Sequence, residues 1–298
     1  MEQHPPFKKV VLMSRPGKHS VSPTLTALYK YLCALDLHVI VEENTAQLMS
    51  LPNLRTTARQ NIANAADLII VVGGDGSLIN AAHVALQQNL PILGINRGRL
   101  GFLTDIYPHE LEAICDVLNG QYQLEQRFLL EAYVGSSQRS LALNEVVLLP
   151  GDIAHMIEFD IHINKQYVCS QRADGLMIAT PTGSTAYALS GGGPILHPRL
   201  EATILLPMFP HMLSNRPIVI DSNSEITIEI NAATKHLPFI SCDGHERITI
   251  PAGEPLKICR HAKTLTLIHP KTYNYYATLR TKLSWQTRAS KVLKENRV

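Results

Sequence analysis

Apolar residues in the first hundred positions follow two rhythms. Short uninterrupted runs, Val10 to Met13, His38 to Val41, Asp67 to Val72 (DLIIVV) and Ile92 to Ile95, alternate with stretches of three- and four-residue spacing. The runs predict strands, and DLIIVV, closed by Gly73 and Gly74, predicts one buried on both faces. The spaced stretches predict helices, from about Thr24 to Leu35 with Leu25, Leu28, Leu32 and Leu35 on one face, and over Leu78 to Gln88. Such alternation implies α/β architecture, an N-terminal doubly wound parallel-sheet domain.

Beyond about residue 120 the rhythm becomes strict alternation, as in MIEFDIHI (156–163) and SEITIEI (224–230). That pattern predicts a C-terminal, mainly antiparallel, sandwich-like β domain. The expected division is 1–120 for the α/β domain, 121–272 for the β domain, and a segment 273–298. The last contains TLRTKLSW and a basic tail, with packing back on the N-terminal domain as one possible placement.

Composition adds constraints rather than a function. The chain has 298 residues, 45% apolar and 17% charged, with a net charge of only +2 and scattered Lys and Arg. Neither a nucleic-acid stripe nor a polybasic membrane patch is implied. No apolar stretch reaches the roughly 18 residues that span a bilayer, and MEQHPPFKK lacks the apolar core of a signal peptide, so cytoplasmic residence is the expectation. The five cysteines, odd in number and without CxxC spacing, are expected as buried thiols. Among the 13 histidines no zinc-type cluster is visible, and the pair Asp160 and His162 is expected to be exposed.

Chemistry concentrates in three places. GGDGS, Gly73 to Ser77, joins a buried strand to a helix. The glycines Gly73, Gly74 and Gly76 permit a tight turn and close ligand approach, and the helix start favours phosphate. Asp75 is then placed to hold Mg²⁺ or to orient a hydroxyl, or alternatively to cap the helix. The loop has no third glycine of GxGxxG, with Ile79 in its place, and no GxxxxGK[ST] occurs anywhere.

The second place is RADGLMIATPTGSTAYALSGGGP, Arg172 to Pro194. Leu176 to Ala179 reads as a strand, Pro181 to Gly183 as a turn, and Ser184 to Leu189 as a short helix stopped by Gly191 to Gly193. Thr180, Thr182, Ser184 and Thr185 crowd its start, either as caps or as partners for a polyhydroxylated phosphate ligand. The third place is Asn144-Glu145, whose amide and carboxylate suit adenine or ribose edges, or simply a polar surface.

Together GGDGS, INRGRLGFLTD (95–105), LNEVVL (143–148), AHMIEFD (154–160) and TPTGSTAYALSGGGPI resemble the NAD kinase family, its bacterial members above all, over nearly the whole chain. The resemblance implies transfer of the γ-phosphoryl of ATP to the adenosine 2′-hydroxyl of NAD, in a cleft between an α/β and a β domain. It implies Asp75 as the catalytic aspartate beside that hydroxyl, and Gly76, Phe102, Asn144, Glu145, His155, Asp174, Thr185, Ala186, Tyr187, Ala188, Leu189, Ser190 and His245 as NAD contacts. His245 stands where relatives often carry Gln. Arg172 resembles kinases that prefer NAD over NADH. A divalent metal, Mg²⁺, is expected to bind mainly through ATP, with no dedicated protein metal site, and the family suggests homodimers or homotetramers. The alternatives are a lipid or sugar-phosphate kinase, which the TPTGSTAY block disfavours, and a non-catalytic NADP sensor.

Overall fold

The computed structural model describes residues 4–17, 19–98, 101–135, 138–152, 155–231 and 236–285. Arg99, Leu100, Ala154 and the basic tail from 286 on, parts of the segments named above, lie outside the described residues. The chain forms two compact units: the first runs up to Glu125 and resumes at Thr266, and the second comprises Gln126–Leu265.

In the first unit the chain follows β1 (Lys9–Met13), α1 (Ser22–Ala34), β2 (His38–Glu42), α2 (Glu43–Ala46), β3 (Thr56–Thr57), α3 (Ile62–Ala65), β4 (Leu68–Gly73), α4 (Asp75–Gln88), β5 (Ile92–Asn96) and α5 (Leu111–Leu118). The strands lie in the order β3-β2-β1-β4-β5, every pair parallel. Val10, Leu12, Ile70 and Val72 pack with Leu25, Leu28 and Leu32 of α1. The intervening Val11, Ile69 and Val71 are equally inaccessible, because a strand sends successive side chains to opposite faces and both faces are covered. Leu35 falls outside this packing: α1 stops at Ala34, and Leu35 is exposed at its C-cap.

Buried polar groups tie the carboxyl ends of these strands together. Glu42, fully buried, accepts Thr45 N–H and Thr45 Oγ1–H, each at 2.8 Å, and Arg59 Nε–H at 3.0 Å. Burial alone raises a carboxyl pKa, but these donors and the Arg59 charge outweigh it and hold Glu42 below its ordinary value. Ser14, at the end of β1, donates its hydroxyl to Val72 O at 2.9 Å, one residue before the glycine loop.

The chain leaves the first unit within β6 (Tyr122–Val134). It continues through β7 (Gln138–Ala142), β8 (Glu145–Leu149), β9 (Ile157–Ile163), β10 (Gln166–Ala173), β11 (Gly175–Ala179), α6 (Tyr187–Ser190), β12 (Ala202–Met208), β13 (Ile218–Asp221), β14 (Ile226–Ile230), β15 (Phe239–Cys242) and β16 (Glu246–Thr249). It returns within β17 (Leu256–Pro270), whose end pairs in parallel with β5, and closes with α7 (Tyr275–Lys282) in the first unit. The boundaries thus fall at 125/126 and 265/266, inside continuous strands, where the hydrophobic rhythm carries no break; texture had suggested 120/121 and 272/273.

One antiparallel sheet of the second unit runs β13-β12-β11-β8-β15-β16, and strands β10-β9-β14-β17 form another antiparallel array. Val146, Leu148, Leu176 and Ile178 share a core with Phe159, Ile161, Ile226 and Ile228. Their chain neighbours Val147, Met177 and Ala179 enter a second core with Ala188, Leu196 and Leu206. β8 and β11 are therefore buried on both faces, which is why EVVLL and GLMIA do not alternate.

Two expectations are corrected. Only Cys242 among the free cysteines is buried; Cys115, Cys169 and Cys259 are half-buried and Cys33 is exposed, since Cys33 lies on α1 away from the Leu25, Leu28 and Leu32 face. Asp160 and His162 are half-buried, because β9 is flanked by β10 and β14. Among the described residues no helix is long and apolar enough to cross a membrane.

Candidate active site

GGDGS is itself the start of α4, which begins at Asp75, three residues before the predicted Leu78. Gly74 is the N-cap, and Ser77 N–H and Leu78 N–H donate to its carbonyl at 2.8 and 3.3 Å. Gly73 has a φ of +156°, and a Cβ there would run into the Ser77 side chain. The tight turn therefore requires glycine at 73.

The Asp75 side chain does not cap its own helix. Its Oδ2 accepts Phe102 N–H at 2.8 Å, and Oδ1 accepts Leu103 N–H at 3.0 Å and faces the Thr104 hydroxyl at 3.4 Å. Two successive backbone donors thus grip one carboxylate in a single orientation. The gripping segment, 101–106, lies flat against the sheet. A Cβ at Gly94 of β5 would come within 2.9 Å of the Thr104 Cα, and one at Gly101 would strike the Asp75 carboxylate. Ile106 then bridges Ile95, with Asn96 N–H donating to Ile106 O at 2.7 Å. Phe102 is half-buried, with the Lys282 ammonium 5.6 Å from its ring centre.

In the second unit the Asn144-Glu145 pair is held in a similar way. Asp243, with a left-handed φ of 50°, accepts Leu143 N–H at 2.7 Å, Asn144 N–H at 2.8 Å and Glu145 N–H at 3.1 Å. Asp243-Gly244, a turn-forming dipeptide, is the signal in the sequence for this residue. His245 is exposed on that turn, its N–H bonded to Cys242 O.

Glu145 is 7% exposed and its Oε2 has no hydrogen-bond partner. Burial, with Asp243 nearby, pushes its carboxyl up to about 8. At neutral pH it is largely a protonated acid, able to donate as well as accept.

The Thr-rich turn is fastened to this pair. Thr180 donates its hydroxyl to Leu143 O at 2.6 Å and accepts Gly183 N–H at 3.1 Å, and Thr180 N–H donates to Asn144 O at 2.9 Å. Ser184 donates to Pro181 O at 2.6 Å and accepts Leu196 N–H at 3.0 Å; Thr182 accepts Arg127 Nη1–H at 3.1 Å, and Thr185 donates to Thr182 O at 3.2 Å. All four hydroxyls therefore serve the turn. Because they compete for backbone groups, the predicted helix Ser184 to Leu189 breaks into a 3₁₀ turn, Gly183–Thr185, and α6, with Ala186 between them.

The remaining candidates separate into two pockets of the second unit. His155 and Arg172 line a cavity of about 340 Å³ with Asp152, Glu158 and His236. Tyr187 and Ser190, both exposed, line another of about 460 Å³ with Met208, Phe209 and Met212. Asp174 is half-buried, its N–H donating to Met208 O; Ala186 and Leu189 are half-buried and Ala188 is fully buried in the second core, so Ala188 offers no side-chain surface. Among the described residues no group of three or more His, Cys, Asp and Glu could hold a metal ion.

Residues 10–122 match the family model for the ATP-NAD kinase N-terminal domain, and residues 143–270 that for the ATP-NAD kinase C-terminal domain. The chain belongs to the ATP-NAD kinase family. It is 55% identical to the NAD kinase of Coxiella burnetii over 292 residues, 97% of this chain and 98% of that one. Identity to the NAD kinase of Pseudomonas fluorescens strain SBW25 is 48% over 287 residues, 95% and 97% of the two chains. Among solved structures, yeast NADH kinase complexed with NADH superposes with a TM-score of 0.82 at 26% identity, covering 95% of this chain and 89% of that one. An NAD kinase from Archaeoglobus fulgidus in complex with ATP gives 0.70 at 26% identity, covering 91% and 98%.

Proposed function

We propose that this chain is an NAD kinase that transfers the γ-phosphoryl of ATP to the 2′-hydroxyl of the adenosine ribose of NAD, giving NADP and ADP. The observation that carries the reading is the Asp75 carboxylate, held in one orientation by Phe102 N–H and Leu103 N–H at the mouth of the glycine loop. A carboxylate is too weak a base to ionise a ribose hydroxyl in the ground state. Asp75 instead orients the hydroxyl and accepts its proton late, as the oxygen–phosphorus bond forms and the bond to ADP breaks.

Gly73, Gly74 and Gly76 with the start of α4 offer backbone N–H groups to phosphate. Asn144, protonated Glu145, Asp174, Thr185, Ala186, Tyr187, Leu189 and Ser190 contact the dinucleotide, with Phe102 on the adenine side and His155 and His245 at the margins; Ala188 supports them from the core. A divalent ion, Mg²⁺, would bind mainly through the triphosphate and would supply neutralisation of charge on the transferring group. Arg172 favours NAD over NADH. The chain works in the cytoplasm as a homodimer or homotetramer. Support for self-association comes from Phe209, Met212 and Leu213, 76%, 57% and 91% exposed on one connection. The test is mass spectrometry of the product formed from NAD, ATP and Mg²⁺. A single added phosphate that a NADP-specific dehydrogenase accepts supports the reading; no product with any triphosphate donor contradicts it.

A further inference from the structure

One buried ionic cluster in the first unit joins Asp105, the last residue of INRGRLGFLTD, to two residues outside the motifs, Glu125 and His269. His269, near the end of β17, is 1% exposed. Its Nδ1 faces Asp105 Oδ2, its Nε2 faces Glu125 Oε2 at 3.0 Å, and Tyr273 stacks on the ring at 3.9 Å with the planes 10° apart. With a carboxylate at each ring nitrogen, only the imidazolium can donate to both. Burial alone would lower the pKa of His269, but the hydrogen bonds and charges of Asp105 and Glu125 overcome it and hold the value above the ordinary one.

Asp105 directly follows Thr104 in segment 101–106, whose Phe102 and Leu103 amides hold the Asp75 carboxylate. The downstream end of that segment has two fastenings, the Ile106 bridge to β5 and the Asp105 bond to His269. Of these two, the second is the ionic one. Gly94 and Gly101 let the segment pack closely against β5 and Asp75, with no room for a Cβ at either position, so Asp105 and the gripping amides belong to one tightly packed stretch.

We propose that His269 is a positioning residue for phosphoryl transfer: braced by Glu125 of β6, it anchors Asp105 to β17 and so sets the amides of Phe102 and Leu103, and through them the orientation of Asp75. The inference rests on Asp75 being the catalytic aspartate. Its signature is a loss of kcat that depends on Asp75, because misplacement of a reacting group by about 1 Å costs roughly 100-fold.

The experiment measures kcat, KM for NAD and thermal midpoint for His269→Gln and Asp105→Asn, alone and combined with Asp75→Asn, below each variant's midpoint. Each single variant is expected to lower kcat at least about tenfold with KM changed less than about twofold, and neither to lower the residual rate of Asp75→Asn further. A lowered midpoint with unchanged kcat, a rise in KM alone, or the same further loss on the Asp75→Asn background overturns the proposal. Should His269→Gln fail to fold, Asp105→Asn decides alone, and unchanged kcat there overturns it. If Asp75→Asn itself turns over like the parent chain, the assignment of Asp75 has failed; if it is inactive and His269→Gln is not, only the positioning role has.

Discussion

Asp75 Oδ2 accepts the backbone N–H of Phe102 at 2.8 Å, across 27 residues of sequence. The glycine loop and the turn after β5 are therefore one device. The loop brings the carboxylate, and the turn decides where it points.

Gly101→Ala tests that device sterically. A methyl group at 101 would strike the Asp75 carboxylate and lie against Thr104 Oγ1. The expected outcome is a fall in kcat of about 100-fold with a folded chain, as for a misplaced reacting group. A kcat within twofold of the parent in steady-state assays would show that Asp75 does not need this orientation.

Glu145 predicts a pH dependence of stability. Its folded pKa, about 8, lies above the ordinary 4.5, so between these values the folded state holds a proton that the unfolded state has lost. Stability contributed by this group is complete below pH 4.5 and declines as pH rises toward 8, by about 1.4 kcal/mol per pH unit at most. Denaturant melts of the parent and Glu145→Gln across pH 5 to 9 should differ by this slope, flattening above pH 8. Parallel curves would contradict it.

Thr180→Val removes a buried hydroxyl that serves Leu143 O and Gly183 N–H. Leaving those backbone groups unpaired is expected to cost about 1–3 kcal/mol in chemical denaturation. Because the hydroxyl fastens the Thr-rich turn to Leu143, next to Asn144, KM for NAD should rise as well. Full stability in Thr180→Val would remove the hydroxyl from this role.

Arg172 carries the selectivity prediction. It is exposed, pairs with Glu158 at 3.8 Å, and lines the adjoining cavity together with it. Arg172→Gly should lower the ratio of NAD to NADH turnover, read by initial rates on each. An unchanged ratio excludes Arg172 as the determinant.

The legibility of the fold and the site follows the range of the interactions. β1, β2, β4 and β5 were readable because both faces are buried and their runs are uninterrupted, and α1 because Leu25, Leu28 and Leu32 repeat at helical spacing. The start of α4 at Asp75 was hidden because two glycines weaken any helical signal, although they are what the turn needs. Asp243, Arg127 and the His269 cluster were missed because each acts on residues from 55 to 164 positions away. Glu145 looked like an ordinary surface carboxylate, and only its burial beside Asp243 makes it a neutral acid. The hydroxyls of 180–185, by contrast, were legible as caps or as ligand partners, and in the structure they bond the turn and the segments beside it.

The most direct test of the central claim compares the parent chain and Asp75→Asn in one assay, with ATP, Mg²⁺ and NAD, following NADP through a NADP-specific dehydrogenase and NAD affinity by calorimetry. If Asp75 orients the hydroxyl and takes its proton, kcat should fall by about 10²–10⁴-fold while the dissociation constant for NAD changes little. Turnover by Asp75→Asn at the parent rate, or a loss of activity explained wholly by lost NAD binding, would contradict the account.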